Sequence, residues 1–156
     1  MAKFKFSPNL LDGINQTARV HDDAANPLTQ ADTGKFLKLT GDSQYGLCAA
    51  GDEIEATFEV HDSPAGTYDG FKLGTIAKGG RRKVTFGEVL NVGDYVVAGA
   101  VLPRGTGLGG AYPTVKKAGA AGTFRWRVVS LDGTNAAGST GVIECVAGAG
   151  TGTNAA

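Results

Sequence analysis

Few residues in this 156-residue chain have the types and spacing that chemistry requires, and those few are scattered. Gly105, Gly107 and Gly110 in GTGLGG match the GxGxxG pattern of dinucleotide sites. That pattern works only between a buried strand and a helix whose N-terminus receives the pyrophosphate. Pro113 stands where the helix would grow, and the nearest acidic residue downstream, Asp132, lies in a turn, so a flexible surface loop is expected here. His21 adjoins Asp22 and Asp23, and His61 adjoins Asp62. Adjacent residues cannot form a triad without a nucleophile brought in from elsewhere, and both histidines are expected in solvated loops. Cys48 and Cys145 share no CxxC or HxxxH spacing with the histidines that would hold a metal. Cys145, within GVIECVA, reads as a buried, inert thiol, and a Cys48–Cys145 disulfide stays open.

Charge is the more informative feature. Glu53, Glu55 and Glu59 fall on one face of an alternating run, which explains them without chemistry. The densest cationic stretch is Lys78, Arg81, Arg82 and Lys83, and Arg125 and Arg127 flank Trp126. Arg81 and Lys83 have two readings, cross-strand partners for Glu53, Glu55 and Glu59 or a contact patch for an acidic partner surface, and Arg125 and Arg127 allow the same two. No catalytic, cofactor or metal-binding residue is assigned, and no enzyme activity is expected.

The elements that must position these residues read as strands. Alternation is clearest over 53–60, where Ile54, Ala56, Phe58 and Val60 oppose Glu53, Glu55, Thr57 and Glu59. Further strands are expected over 35–39, 71–76, 81–86, 95–98, 124–131 and 141–146, with Gly79-Gly80 as a two-residue hairpin turn. Thr29 and Asp32 suit a capping box on one helical turn. No sustained helical period occurs, so the chain is expected to be mainly β, a small single-domain sandwich or barrel with Gly-rich loops. Residues 1–26 read as an extended N-terminal arm, 27–147 as the β-rich core and 148–156 as a flexible Gly/Ala/Thr tail.

Composition narrows the function classes. Fifteen basic and fifteen acidic side chains cancel, which argues against a general nucleic-acid or anionic-membrane binder. Twenty-five glycines without a Gly-X-Y period exclude collagen. The first residues, MAKFKFSPNLLDG, hold no apolar h-region of a secretory signal.

The run LTQADTGKFLKLTGDSQYGLCAAGDEIEATFEV, followed by GGRRKVTF, LNVGDYVVAG and FRWRVVSLDGTNAAGSTGVIECV, resembles the small decoration (cement) proteins of tailed-bacteriophage capsids. The resemblance covers about 28–146. It implies a structural virion protein, made in the host cytoplasm, that binds the outer surface of an icosahedral head and bridges neighbouring capsomers. The implied partner is the major capsid protein, commonly engaged as a homo-trimer, with no cofactor, no direct nucleic-acid contact and no membrane. Its contact residues are expected among Lys3, Phe4, Lys5, Phe6, Arg81, Arg82, Lys83, Arg125 and Arg127. Lys3-Phe4-Lys5-Phe6 alternates as a strand would, and suits addition to an exposed capsid sheet edge. The alternative is a glycan-binding or adhesion module of a fibre or tail, motivated by Tyr45, Tyr68 and Tyr112 in Gly-rich loops. A small hydrolase would require His21 or His61 to meet a nucleophile.

Overall fold

The computed structural model describes residues 14–22, 26–60, 67–68, 71–119 and 123–151. Lys3, Phe4, Lys5, Phe6 and His61 lie outside them. The chain is mainly β and builds two closed five-stranded barrels in succession. The first comprises β1 (Ile14–Val20), β2 (Phe36–Gly41), β3 (Gln44–Leu47), β4 (Ala56–Val60) and β6 (Phe71–Lys78). Its order is β1-β3-β2-β4-β6, closed by β1 against β6, and the short β5 (Thr67–Tyr68) adds to β6. The second comprises β7 (Arg81–Phe86), β8 (Tyr95–Ala98), β9 (Thr114–Lys117), β10 (Thr123–Leu131) and β11 (Thr140–Thr151), in the order β10-β11-β7-β9-β8. Closure leaves few unpaired strand edges.

Two cores follow from the alternation. Ala18, Val20, Leu28, Leu37, Tyr45, Ala56, Phe58 and Ile76 fill the first barrel. Val84, Phe86, Leu90, Val96, Ala98, Val115, Trp126, Val128 and Ile143 fill the second, together with Phe36, Cys48 and Ile54 contributed by the first half of the chain. The run over 53–60 therefore divides. Ala56 and Phe58 point into the first barrel, while Ile54, two residues earlier, packs with the second. The junction is sealed by backbone and indole bonds. Trp126 Nε1 donates to the Ile54 carbonyl at 2.7 Å, Gly51 N–H to Ala98 O at 2.8 Å, and Ala98 N–H to Asp52 O at 2.9 Å.

Several expectations are corrected. Gly79-Gly80 does not close a hairpin. Both residues take positive φ (67° and 75°), as such a turn would, but β6 pairs with β1, β4 and β5, and β7 with β9 and β11. The two glycines are the crossover between barrels, which a local turn signal cannot distinguish from a hairpin. Residues 14–22 are not arm. β1 pairs in parallel with β3 and antiparallel with β6, and only Ala18 and Val20 of 15–20 are buried, too short an apolar period to read in sequence. The ordered chain likewise runs past residue 147, because β11 continues to Thr151 with Phe124 opposite Gly150 and Thr123 opposite Thr151. The short helical turn forms as expected, a 3-10 turn over Gln30–Asp32, with Thr29 N–H donating to the Asp32 carboxylate at 2.9 Å.

Trp126 supplies a test of the junction. Trp126→Phe leaves the buried Ile54 carbonyl without its donor, which costs about 1–3 kcal/mol. Urea denaturation should show that loss as a lower midpoint with an unchanged slope.

Candidate functional site

The outer face of β7, β11 and β10 gathers the basic residues. Register places Arg127 opposite Glu144 and Glu144 opposite Arg81, giving a cross-strand row of cation, anion and cation. The parallel row two residues along is Ser130, Val142 and Lys83. Between these rows lies an open depression of about 420 Å³ lined by Arg81, Arg82, Lys83, Val129, Ser130 and Val142. Arg81 reaches Glu144 at 3.6 Å, and Lys83 reaches Asp132 at 3.0 Å. The bond to Asp132 raises the Lys83 pKa, while Thr140 and then Lys83 lower that of Asp132. Arg125, further along β10, pairs with Glu53 at 3.4 Å. Burial pushes the Glu53 carboxyl up, with Arg125 opposing it.

Arg81 pairs across strands as expected, but with Glu144; Lys83 pairs instead with Asp132 in the turn after β10, and only Arg125 meets one of the expected glutamates, Glu53. Glu55 and Glu59 belong to the first-barrel side and Glu53 is taken by Arg125, whereas β7 lies in the second barrel beside β11. Arg82 is the exception on β7, its Nε donating to Thr57 Oγ1 of β4 at 3.2 Å and so spanning the junction. The structure thus brings Arg81, Lys83, Arg125 and Arg127 to the exterior of one barrel and turns Arg82 towards the other. Four cations stand there against three carboxylates, Glu53, Asp132 and Glu144.

A second feature was missed in sequence. The long loop between β8 and β9 crosses back onto the first barrel, where a cleft of about 340 Å³ opens between β2 and the loop. Phe36, Val101, Leu102, Leu108, Tyr112 and Pro113 give it apolar walls, with Val101, Leu102 and Tyr112 substantially exposed. A buried ion pair pins the loop. Lys35 Nζ donates to Asp32 Oδ1 at 2.9 Å and to Pro103 O at 2.7 Å, and Gly105 N–H donates to the same carboxylate oxygen at 2.7 Å. Asp32 and Lys35 are 0% and 2% exposed. Arg104 adds an outer tie to Asn26 Oδ1 at 3.0 Å and to Asp22 at 3.5 Å. The GxGxxG loop is a surface loop as expected, yet Gly105 is held by Asp32 and no helix follows it.

Other candidates resolve differently from their sequence reading. His21 is not in a solvated loop. It is 1% exposed, and its Nε2 accepts the Lys72 backbone N–H, so that lone pair is already engaged. Tyr45 is buried in the first core and cannot be a surface aromatic; Tyr112 is exposed, and the Tyr68 side chain lies outside the described residues. Cys48 and Cys145 are both free thiols, Cys48 buried and Cys145 partly so. Burial pushes the Cys48 thiol up to about 12 and raises that of Cys145. Among the described residues no three His, Cys, Asp or Glu converge as metal ligands, and no helix is long and apolar enough to cross a membrane. No protein-family model, curated protein or solved structure matches the chain.

Two measurements probe these sites. Burial alone would raise the Asp32 pKa, but Lys35 and the N–H groups of Thr29 and Gly105 outweigh it and hold the carboxyl below its ordinary 3.8. The stabilisation is therefore complete above that value and lost as pH falls through the depressed one. Asp32→Asn should cost about 3–5 kcal/mol near neutral pH by stranding a buried ammonium. The gap from wild type, followed by urea denaturation, should close on acidification below about pH 4. Separately, Cys48 should resist a thiol reagent at pH 8 in the native protein and react on unfolding, because only the thiolate is the nucleophile. Equal rates in both states would contradict its burial.

Proposed function

We propose that this protein is a structural virion component that binds the outer surface of an icosahedral phage head and stabilises it by bridging capsomers. The observation that carries the reading is the basic exterior of the second barrel, where β-register sets Arg81 and Arg127 on either side of Glu144, with Lys83 in the next row. Closed barrels suit a stable spacer of this kind, because pairing occupies strand edges that would otherwise template aggregation. The resemblance of 28–146 to decoration proteins supplies the class of partner, a major capsid protein engaged by a homo-trimer. Fixed cations on a rigid sheet orient such a protein on an acidic shell surface and speed its encounter. Lys3-Phe4-Lys5-Phe6 contributes an added strand at a shell sheet edge. The role is one of binding rather than catalysis, and it needs neither nucleic acid nor membrane.

Sedimentation with undecorated heads tests this. The purified protein should pellet with the heads, and Arg81→Glu, Lys83→Glu and Arg127→Glu together should weaken binding at least roughly tenfold at low salt. The difference should shrink as salt rises, since exposed charges are screened. Failure to pellet under any salt condition would sink the proposal.

A further inference from the structure

The apolar cleft and the basic face are one surface. Tyr112, on the cleft wall, lies under the Lys83 ammonium at 5.1 Å from the ring centre, and Lys83 lines the basic depression. We propose that the junction cleft is an anchor pocket for one aromatic or branched aliphatic side chain of an acidic, extended polypeptide segment. This rests on the reading of the basic face as a contact surface, and it adds which chemistry the partner must present.

Three observations point to that occupant. The walls are apolar and open, with Val101, Leu102 and Tyr112 at 36%, 44% and 43% exposure around a cavity of about 340 Å³. Interface hot spots are commonly such pockets filled by a large side chain. The one charged side chain in the lining, Lys35, is already committed to Asp32 and to the Pro103 carbonyl, so the pocket itself selects an apolar group. Charge selection comes from outside the pocket. Beyond Tyr112 the surface carries Arg81, Lys83 and Arg127 against Glu144 and Asp132, an excess of positive charge that favours carboxylates beside the anchor. The loop is also held before any partner arrives. Gly105 N–H, Arg104 and the buried pair fix it to the first barrel, so less ordering entropy opposes binding.

Amide-shift titration of the whole protein with short peptides tests the pocket apart from any capsid. Ac-DEFDE-NH2 should give saturable shifts at Val101, Leu102, Leu108 and Tyr112. Ac-DEADE-NH2 should bind at least tenfold more weakly, and Ac-KKFKK-NH2 should leave these signals in place. Ala100→Phe, which fills the cleft from a lining position, should abolish the shifts while the thermal transition persists. Lys83→Glu, on the surface, should weaken the acidic peptides and not Ac-KKFKK-NH2, and keeps the test alive should Ala100→Phe not fold. Equal responses to the acidic and basic peptides, or none at cleft residues, would overturn the inference. Head binding that survives Ala100→Phe would overturn it as well while leaving capsid decoration intact. Loss of head binding in wild type would instead remove the wider reading.

Discussion

Asp32 and Lys35 bring opposite charges almost completely out of water, three residues apart at the mouth of the first barrel. Burying either charge alone would cost several kcal/mol, so each must be matched in full. One matching group is local, the Thr29 backbone N–H on the carboxylate, and two come from a distant part of the chain: the Gly105 N–H for the carboxylate and the Pro103 carbonyl for the ammonium. Satisfying this pair therefore requires the β8–β9 loop of the second barrel to lie on the first. The apolar cleft, its exposed aromatic and its position beside the basic face all follow from that requirement.

The junction carries the same logic into the backbone. The segment between β3 and β4 leaves the first sheet and gives its carbonyls to Trp126 and Ala98. Ile54 is consequently buried among second-barrel side chains, while Ala56 and Phe58 stay with the first. Two small barrels, each with a modest core, gain shared apolar burial in this way, which a domain of this size needs. Close packing inside each barrel depends on glycine at a few points. At Gly74 an added Cβ would meet Phe58 at 2.9 Å, so β6 can pass the first core only without a side chain there.

Surface charge is organised by register rather than by clustering in sequence. Arg81, Glu144 and Arg127 are far apart along the chain, yet they form one row because β7, β11 and β10 are neighbours. Zero net charge thus coexists with a locally basic exterior. Exposed ion pairs of this sort add little to stability, typically 0–1 kcal/mol. Their larger effect is to set which partner surfaces can approach.

Local pattern by itself determined the strands with sustained alternation, β4, β7 and β10, and the capping box at Thr29 and Asp32. It also determined that the chain is mainly β, because period-two burial is a short-range property of the backbone. It missed β1, β3, β5 and β9, which are short or largely polar, and it left open which strands are neighbours. Only the tertiary structure decided that Gly79-Gly80 joins two barrels, that Lys35 is buried, and that Arg81 faces Glu144. Those outcomes depend on pairings between distant segments, and the alternation of a strand records which face is buried but not against what.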